Sequence, residues 1–452
     1  MAFVAASILP FSSCSDFLDR EPITKPEAGN FLTGAIQVEN YINGLYMTLP
    51  SFSKFGLGVR SEEKNSDNII AEKYDARLHG QNNQFSGASD WQTGYQNLRK
   101  VNYFFHNYKV PEAQENEDVL SLKGEAYFLR AYWHFDLLKK FGSIPVMDAF
   151  WDENATIAGL QIPAKTRNEV ARFILSDLVE AKNLLHSRGK YSGIRINKEA
   201  AMVLAMNVAL YEGTWEKYHS SDDFASSTNE SNYFLGEVIN WGNELFGCGI
   251  DLYKTGQNPG DAFAALFNSK DLSGMGEVLL WRKYSSDEGV FLTPYKRELF
   301  QLILGMLTGS ILQLIMPFLT QSLVDNYLNA DGTFIDPTNE KFKDFKETFE
   351  GRDPRLIQTV MNEGAKFASA TTATPMHLEE YTDEKKNTIS PPKLAGDGNT
   401  RSLTGYHIRL GIDTTFVSGN GETALPIIRY AEGLLAYAEA AAELEMWSDD
   451  IA

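Results

Sequence analysis

The chain has 452 residues, 43% of them hydrophobic and 12% aromatic, enough for a large core or two to three domains and too apolar for a disordered tail. There are 60 Asp and Glu residues against 41 Lys and Arg, a net charge of −19. That balance excludes binding through a nucleic-acid phosphate backbone, which needs clustered cations, and it suits a neutral ligand such as a sugar without identifying one.

In chain order, an apolar opening runs from Ala2 to Leu9 and leads through the small residues Ser12 and Ser13 to Cys14. An apolar stretch ending in small residues is the pattern of a secretory signal. Cysteine directly after it points to acylation of Cys14 and removal of residues 1–13. Each buried acyl methylene contributes about 0.8 kcal/mol to membrane anchoring. No Lys or Arg precedes Arg20, so the positive start of such a leader is missing and residues 1–13 read as a truncated signal peptide. The alternative is a frayed apolar tail with a chance cysteine. The second cysteine is Cys248; acylation of Cys14 would leave it without an intrachain disulfide partner.

Amphipathic segments then dominate: 35–49, 91–108, 122–141, 168–185, 198–211, 235–246 and 425–445. In 122–141 the apolar positions Leu122, Ala126, Leu129, Trp133 and Leu137 keep a helical period. That segment has a helix's stop signals, with Lys139 and Lys140 at the negative end of the dipole, Gly142 as a left-handed cap and Pro145 beyond. Small residues line one face of 198–211 (Ala201, Leu204, Ala205, Val208) and one face of 425–445 (Ala431, Leu434, Leu435, Ala438, Ala442). Such faces let helices approach closely, as in stacked helix pairs. Long polar stretches rich in Gly, Asn and Ser separate the helices at 62–90, 220–231 and 362–421, and strand-like alternation is scarce. The expected fold class is mainly α with long decorated loops.

One segment breaks the pattern. Residues 299–324 carry no charge, and 299–319 is dense in Leu, Ile, Met and Phe. An uncharged apolar run of more than about 18 residues is a membrane-span candidate, and Gly305 with Gly309 gives it a small-xxx-small packing motif. Three readings of the anomalous segment 296–318 stay open: a splice of two unrelated coding sequences, a core or surface-lying amphipathic helix, and a true span.

Motifs of catalysis are missing. The seven histidines are scattered, with no His-Glu-x-x-His and no Cys/His cluster. There is no Gly-x-Ser-x-Gly elbow and no phosphate loop. Asp331-Gly332 lacks the alternating carboxylates of a calcium loop. His134, inside an aromatic helix, reads as a packed histidine. The expectation is a protein with no catalytic residue, metal or cofactor. Sugar binding without chemistry asks for aromatic faces beside amide, carboxylate and guanidinium groups. Segments 62–91 and 281–284 supply that mix, and the expected ligand contacts are Trp91, Tyr74, Asn68, Trp281 and Tyr284. Against this, Trp91 starts a helix, and Trp281 lies on an apolar strand-like run with Val278 and Leu280.

Several segments resemble the SusD/RagB family, the surface glycan-binding lipoproteins of Bacteroidetes. They are Ser15-Asp16-Phe17-Leu18-Asp19-Arg20-Glu21-Pro22 after Cys14, then Gly124-Glu125-Ala126-Tyr127-Phe128-Leu129-Arg130-Ala131-Tyr132 running on to Phe141-Gly142-Ser143-Ile144-Pro145-Val146. The helix before that second segment, 95–102, matches as well, and after it come 197–215, Leu323-Val324-Asp325-Asn326-Tyr327, Gly351-Arg352-Asp353-Pro354-Arg355-Leu356 and Ile428-Arg429-Tyr430-Ala431-Glu432. Each is weak alone, and their shared order carries the resemblance. It implies tetratricopeptide-like helix pairs, a loop-built glycan face and a lipid anchor at the outer membrane surface. It also implies a SusC-like TonB-dependent transporter beneath the protein and no catalysis. The contrasting functions are a lipoprotein glycosidase with two carboxylates and a structural transporter lid that binds no sugar. Residues 14–452 then form one SusD-like domain, expected to be cut short, since family members continue beyond 428–444. On that view the last helix lacks a following partner and is marginal. Residues 294–321 instead resemble the first membrane helix of a bacterial ABC exporter, which would make the chain a chimera.

With a complete leader restored, Cys14→Ala is expected to abolish incorporation of a fatty-acid analogue in cells. Equal labelling of wild type and variant would rule Cys14 out as the lipid site.

Overall fold

A computed structural model describes residues 31–52, 63, 66–70, 79–81, 88–151, 161–226, 228–254, 259–285, 318–336, 345–368, 373–375, 381–382, 388–389, 404–411 and 422–446. Cys14, Tyr74 and residues 296–317 lie outside that set. The described part is mostly helical, as the periodicity predicts. The helices are α1 (Ala35–Leu45), α2 (Ala88–Asn107), α3 (Glu117–Phe141), α4 (Arg167–Leu184), α5 (Lys198–Tyr218), α6 (Ser231–Phe246), α7 (Pro259–Asn268), α8 (Gln321–Asn326), α9 (Pro354–Thr359) and α10 (Tyr430–Glu443). The strands are β1 (Ile69–Ile70), β2 (Val278–Arg282), β3 (Phe318–Leu319), β4 (Lys366–Ala368), β5 (Ala373–Pro375), β6 (Tyr381–Thr382), β7 (Thr388–Ile389) and β8 (Leu425–Arg429). They form antiparallel pairs: β1 with β3, β2 with β8, β4 with β5 and β6 with β7.

Local chemistry sets the helix ends. The Asn116 side chain accepts the Val119 N–H at 3.0 Å to start α3, and Asn197 accepts the Ala200 N–H at 3.0 Å to start α5. These caps satisfy amides that the first turn leaves without partners. Thr166 and Glu169 form a capping box on α4. Gly142 closes α3, its N–H bonded to Leu138 O; the helix stops where the sequence predicts, at a positive φ of 72° that suits glycine, but with ψ −117° in place of a left-handed helical cap.

Successive helices pack on their neighbours, α2 on α3, α3 on α4, α4 on α5 and α5 on α6, around one core that includes Phe104, Phe128, Leu138, Ile174, Val208 and Phe234. Glycine permits the closest approach: a Cβ on Gly94 of α2 would stand 2.6 Å from Leu137 Cδ2 of α3. Between α3 and α4 the Arg130 guanidinium grips Asp177 with Nε 2.8 Å and Nη2 2.7 Å from its carboxylate oxygens. Phe105 and Phe173 flank that guanidinium, at 4.6 Å and 5.3 Å from their ring centres. Arg167 of α4 reaches the fully buried Glu212 of α5 through a single bond, Nη2 to Oε2 at 2.9 Å.

Helix α10 departs from the expectation in the face it buries. It packs on α5 and α6, both earlier in the chain, and buries Gly433, Ala436, Ala440 and Ala441, while Leu435 stands 71% exposed and Ala442 is exposed. Gly433 decides the rotation. A Cβ there would lie 2.8 Å from Leu245 of α6 and 3.2 Å from Val203 of α5, so the side with no side chain turns inward. The period of small residues does not reveal which small face that is.

A second, smaller core gathers Ile69, Leu319, Val324, Leu356, Val360, Tyr406 and Ile408. Leu319, the last residue of the apolar run 299–319, is buried in it, paired with Ile69 and donating its N–H to Tyr406 O at 3.1 Å. The end of that run is therefore built into the fold. Among the described residues, no helix is long and apolar enough to cross a membrane.

His134 of α3 is fully buried and neutral. Its Nδ1–H donates to Arg130 O at 2.9 Å, and its Nε2 accepts the Met147 N–H at 3.1 Å. Burial first, and the Arg130 charge beside it, push the imidazole down from 6.5 to about 3 against the raising effect of its backbone bond. The unfolded chain takes up this proton first as pH falls. His134 thus contributes stability that is fully present above pH 6.5 and is lost progressively down to about pH 3. Urea midpoints measured from pH 7 to pH 4 should fall, and the fall should be shallower in His134→Gln; parallel profiles would show that His134 is not the titrating group.

Candidate ligand cleft

A cleft of about 660 Å³ opens where α1, the 3-10 turn Tyr46–Thr48 that follows it, α2 and α3 meet. Helix α2 contributes Thr93, Asn97 and Lys100 at helical spacing, so one face of that helix forms a wall. The aromatic lining is Phe31, Tyr41 and Trp133, and Asn40, Thr48 and Ser51 add amide and hydroxyl groups.

The polar groups are held in place. Tyr41 donates its hydroxyl to Lys100 O at 2.8 Å, and its ring stacks on Tyr103 at 5.8 Å. Burial first, with Tyr103 adding to it, raises the Tyr41 phenol well above the usual tyrosine range, so the group stays a donor. Lys100 Nζ donates to Oδ1 of the buried Asn97 at 3.0 Å. Trp133 Nε1–H donates to Thr48 Oγ at 3.1 Å, and the same hydroxyl donates to Leu45 O at 2.7 Å.

The wall 46–52 is gripped from behind. Tyr46 donates its hydroxyl to Glu125 Oε2 at 2.8 Å and accepts the Ile196 N–H at 2.7 Å. Arg282 Nη2 donates to Tyr46 O at 2.5 Å and to Leu49 O at 3.1 Å, and Tyr284 accepts the Phe52 N–H at 3.0 Å.

The five residues expected to touch ligand are not brought together. Trp91 stands 38% exposed on the first turn of α2, against Tyr95 at 4.7 Å and edge-on to Phe141 at 4.9 Å. It sits on the same helix as Thr93, Asn97 and Lys100 and offers an aromatic platform separate from the cleft lining. Asn68 is half-buried beside β1, donating its amide to Glu63 Oε2 at 3.2 Å while its backbone O accepts from Thr320 N at 3.0 Å. Trp281 is core: it is 1% exposed, its indole N–H donates to Ser192 O at 2.9 Å, and its ring lies against Gly193. A ring so enclosed has no free face for a sugar. Tyr284 is also buried, its phenol pushed up by that burial, and it supports the chain at Phe52. Both belong to β2 and the residues just after it, where apolar residues in succession, Val278, Leu279 and Leu280, are the sign of a strand buried on both faces. Tyr74 lies outside the described residues.

Sequence reasoning missed Tyr41, Asn97, Lys100 and Trp133. The helical period was legible, but the cleft forms only where three helices diverge, so its lining looks like the outer edge of ordinary amphipathic helices. Among the described residues, no group of His, Cys, Asp or Glu is placed to hold a metal ion.

Two family models match the chain. One, described as the SusD family, covers residues 315–452, and the other, described as starch-binding associating with outer membrane, covers residues 16–210. A curated relative, SusD-like protein P2 of Formosa agariphila, is 25% identical over 238 residues, which is 50% of this chain and 46% of the relative, so the match spans just under half of the relative's length. A crystal structure of a SusD-like protein from Bacteroides fragilis superposes with a TM-score of 0.67 at 21% identity, covering 93% of this chain and 77% of that one. A SusD-like carbohydrate binding protein from the same species gives 0.66 at 18% identity, covering 92% and 75%. A SusD superfamily protein from Parabacteroides distasonis gives 0.61 at 16%, covering 92% and 78%. At these identities the structures establish the shared fold.

The tryptophans should separate by substitution. Trp281→Ala is expected to cost about 3–5 kcal/mol of stability by leaving a cavity. Trp91→Ala should cost about 1 kcal/mol, the size of an exposed aromatic pair. Thermal melts decide it, and equal losses would refute the assignment of Trp281 to the core and Trp91 to the surface.

Proposed function

The chain belongs to the SusD family, and on that basis we propose that it binds an oligosaccharide in the cleft between α1, α2 and α3, without chemistry, at the outer membrane surface. The single observation behind this reading is the lining: aromatic faces from Phe31, Tyr41 and Trp133 beside Asn40, Thr93 and Asn97. Aromatic rings pack on the C–H faces of a pyranose, and amides and hydroxyls bond its hydroxyls. A volume of about 660 Å³ lies within the range of small-ligand sites and takes a short segment of a glycan. The names of the relatives, one a carbohydrate binding protein and one family described as starch-binding and associating with the outer membrane, agree with it.

The absence of chemistry rests on the same lining. Glycoside hydrolysis needs two carboxyl groups flanking the scissile bond, and the described cleft residues include no Asp or Glu. Anchoring through acylated Cys14 and delivery to a SusC-like TonB-dependent transporter belong to the same proposal and rest on the resemblance of the N-terminal segment and on family membership.

Affinity electrophoresis against a polysaccharide panel tests the reading: migration should be retarded in at least one gel, with no release of reducing sugar. Thr93→Trp, at an exposed position on the cleft wall, should fill the site and abolish retardation while leaving the melting temperature near that of wild type. Retardation lost in Trp91→Ala but kept in Thr93→Trp would move the site to the Trp91 platform. Steady release of reducing sugar would establish an enzyme instead.

A further inference from the structure

The charge of the cleft is opposite to that of the protein. Over the whole chain acidic residues exceed basic ones by 19, yet among the described residues lining the cleft the one charged group is Lys100. Among the described residues no carboxylate pairs with its ammonium. Nζ bonds to the neutral amide oxygen of Asn97 at 3.0 Å, and among the described residues Lys100 takes part in no ion pair. The position is also fixed. Asn97 is 7% exposed, so its amide is locked, and the Tyr41 hydroxyl holds the Lys100 carbonyl at 2.8 Å.

We propose that the cleft selects an anionic sugar, with Lys100 receiving a carboxylate or sulfate group of the glycan. This rests on the reading of the cleft as the glycan site. A lysine facing only neutral sugar hydroxyls would form ordinary hydrogen bonds, whereas an ammonium meeting an anion forms charge-assisted ones roughly twice as strong. The overall negative charge does not oppose this at contact. At physiological ionic strength charges beyond about 8 Å are largely screened, so distant carboxylates add little to the field at Lys100. The flanking aromatic faces and amides supply binding common to any pyranose, and Lys100 supplies the discrimination.

Isothermal titration with three probes tests the assignment: laminarin as a neutral glucan, polygalacturonate as a carboxylated glycan and κ-carrageenan as a sulfated glycan without uronate. Wild type should bind one of the two anionic probes at least about 10-fold more tightly than laminarin, and the probe that binds identifies the anion. Lys100→Gln should bring the anionic-to-neutral ratio down by roughly 5- to 10-fold, the excess of one charge-assisted bond over the neutral bond that glutamine can still make. Lys100→Arg should keep most of that ratio, and about 1 M salt should lower it in wild type. An unchanged ratio in Lys100→Gln, tighter binding of laminarin, or binding of neither anionic probe overturns the proposal. Thr93→Trp separates the two claims. If it abolishes binding while Lys100→Gln leaves the ratio intact, the cleft is the site and the anion assignment fails. If it leaves binding intact, the cleft itself is the wrong site.

Discussion

The buried carboxylate of Glu125 holds this architecture together. It is 1% exposed and accepts Arg195 Nε at 2.8 Å, Arg195 Nη2 at 2.9 Å and the Tyr46 hydroxyl at 2.8 Å. Burial raises its carboxyl above the usual carboxylate range, and the bonds and charge of Arg195, followed by the Tyr46 bond, offset only part of that rise. Tyr46 then takes the Ile196 N–H. One side chain in the middle of α3 thereby ties the end of α1 to the segment that leads into α5. The cleft wall begins at this junction, so the site inherits its shape from a buried polar centre that touches no ligand.

Buried ion pairs repeat along the helical stack. Arg130 with Asp177 joins α3 to α4, and Arg167 with Glu212 joins α4 to α5. Desolvation offsets much of the attraction in such pairs, while removing one partner costs about 3–5 kcal/mol. Their contribution here is register: a helix that slid by one turn would strand a charge in the core. The second pair carries a visible cost. Burial pushes the Glu212 carboxyl up to about 7 despite Arg167, with Glu216 one turn along adding to the rise, and among the described residues Glu212 Oε1, Glu216 Oε1 and Arg167 Nε have no bonding partner.

The cleft is built the opposite way, with polar groups left at the surface and their backbones restrained. Arg282 and Tyr284 clamp residues 46–52 from the core side, while Tyr41, Asn97 and Lys100 line the cleft. The run 281–284 thus bears on the site without entering it. A preorganised wall lowers the ordering cost of binding, which suits a shallow site for a hydrated ligand.

The sequence by itself determined the fold class, the long helical segments and the stop at Gly142. A 3.6-residue period and a glycine at a helix end act over a few residues, and local rules read them. The ordered motifs carried the family for the same reason, since each is a short local pattern. The tertiary structure alone decided which small face of α10 turns inward, because Gly433 matters only opposite Leu245 and Val203. It also decided that Trp281 is core and that Lys100 lines a cleft. Aromatic and polar residues have the same composition whether a ring is covered by Gly193 or open to solvent. Burial depends on partners distant in the chain, 89 residues apart for Trp281 and Ser192 and 232 for Tyr284 and Phe52, and no local pattern records them.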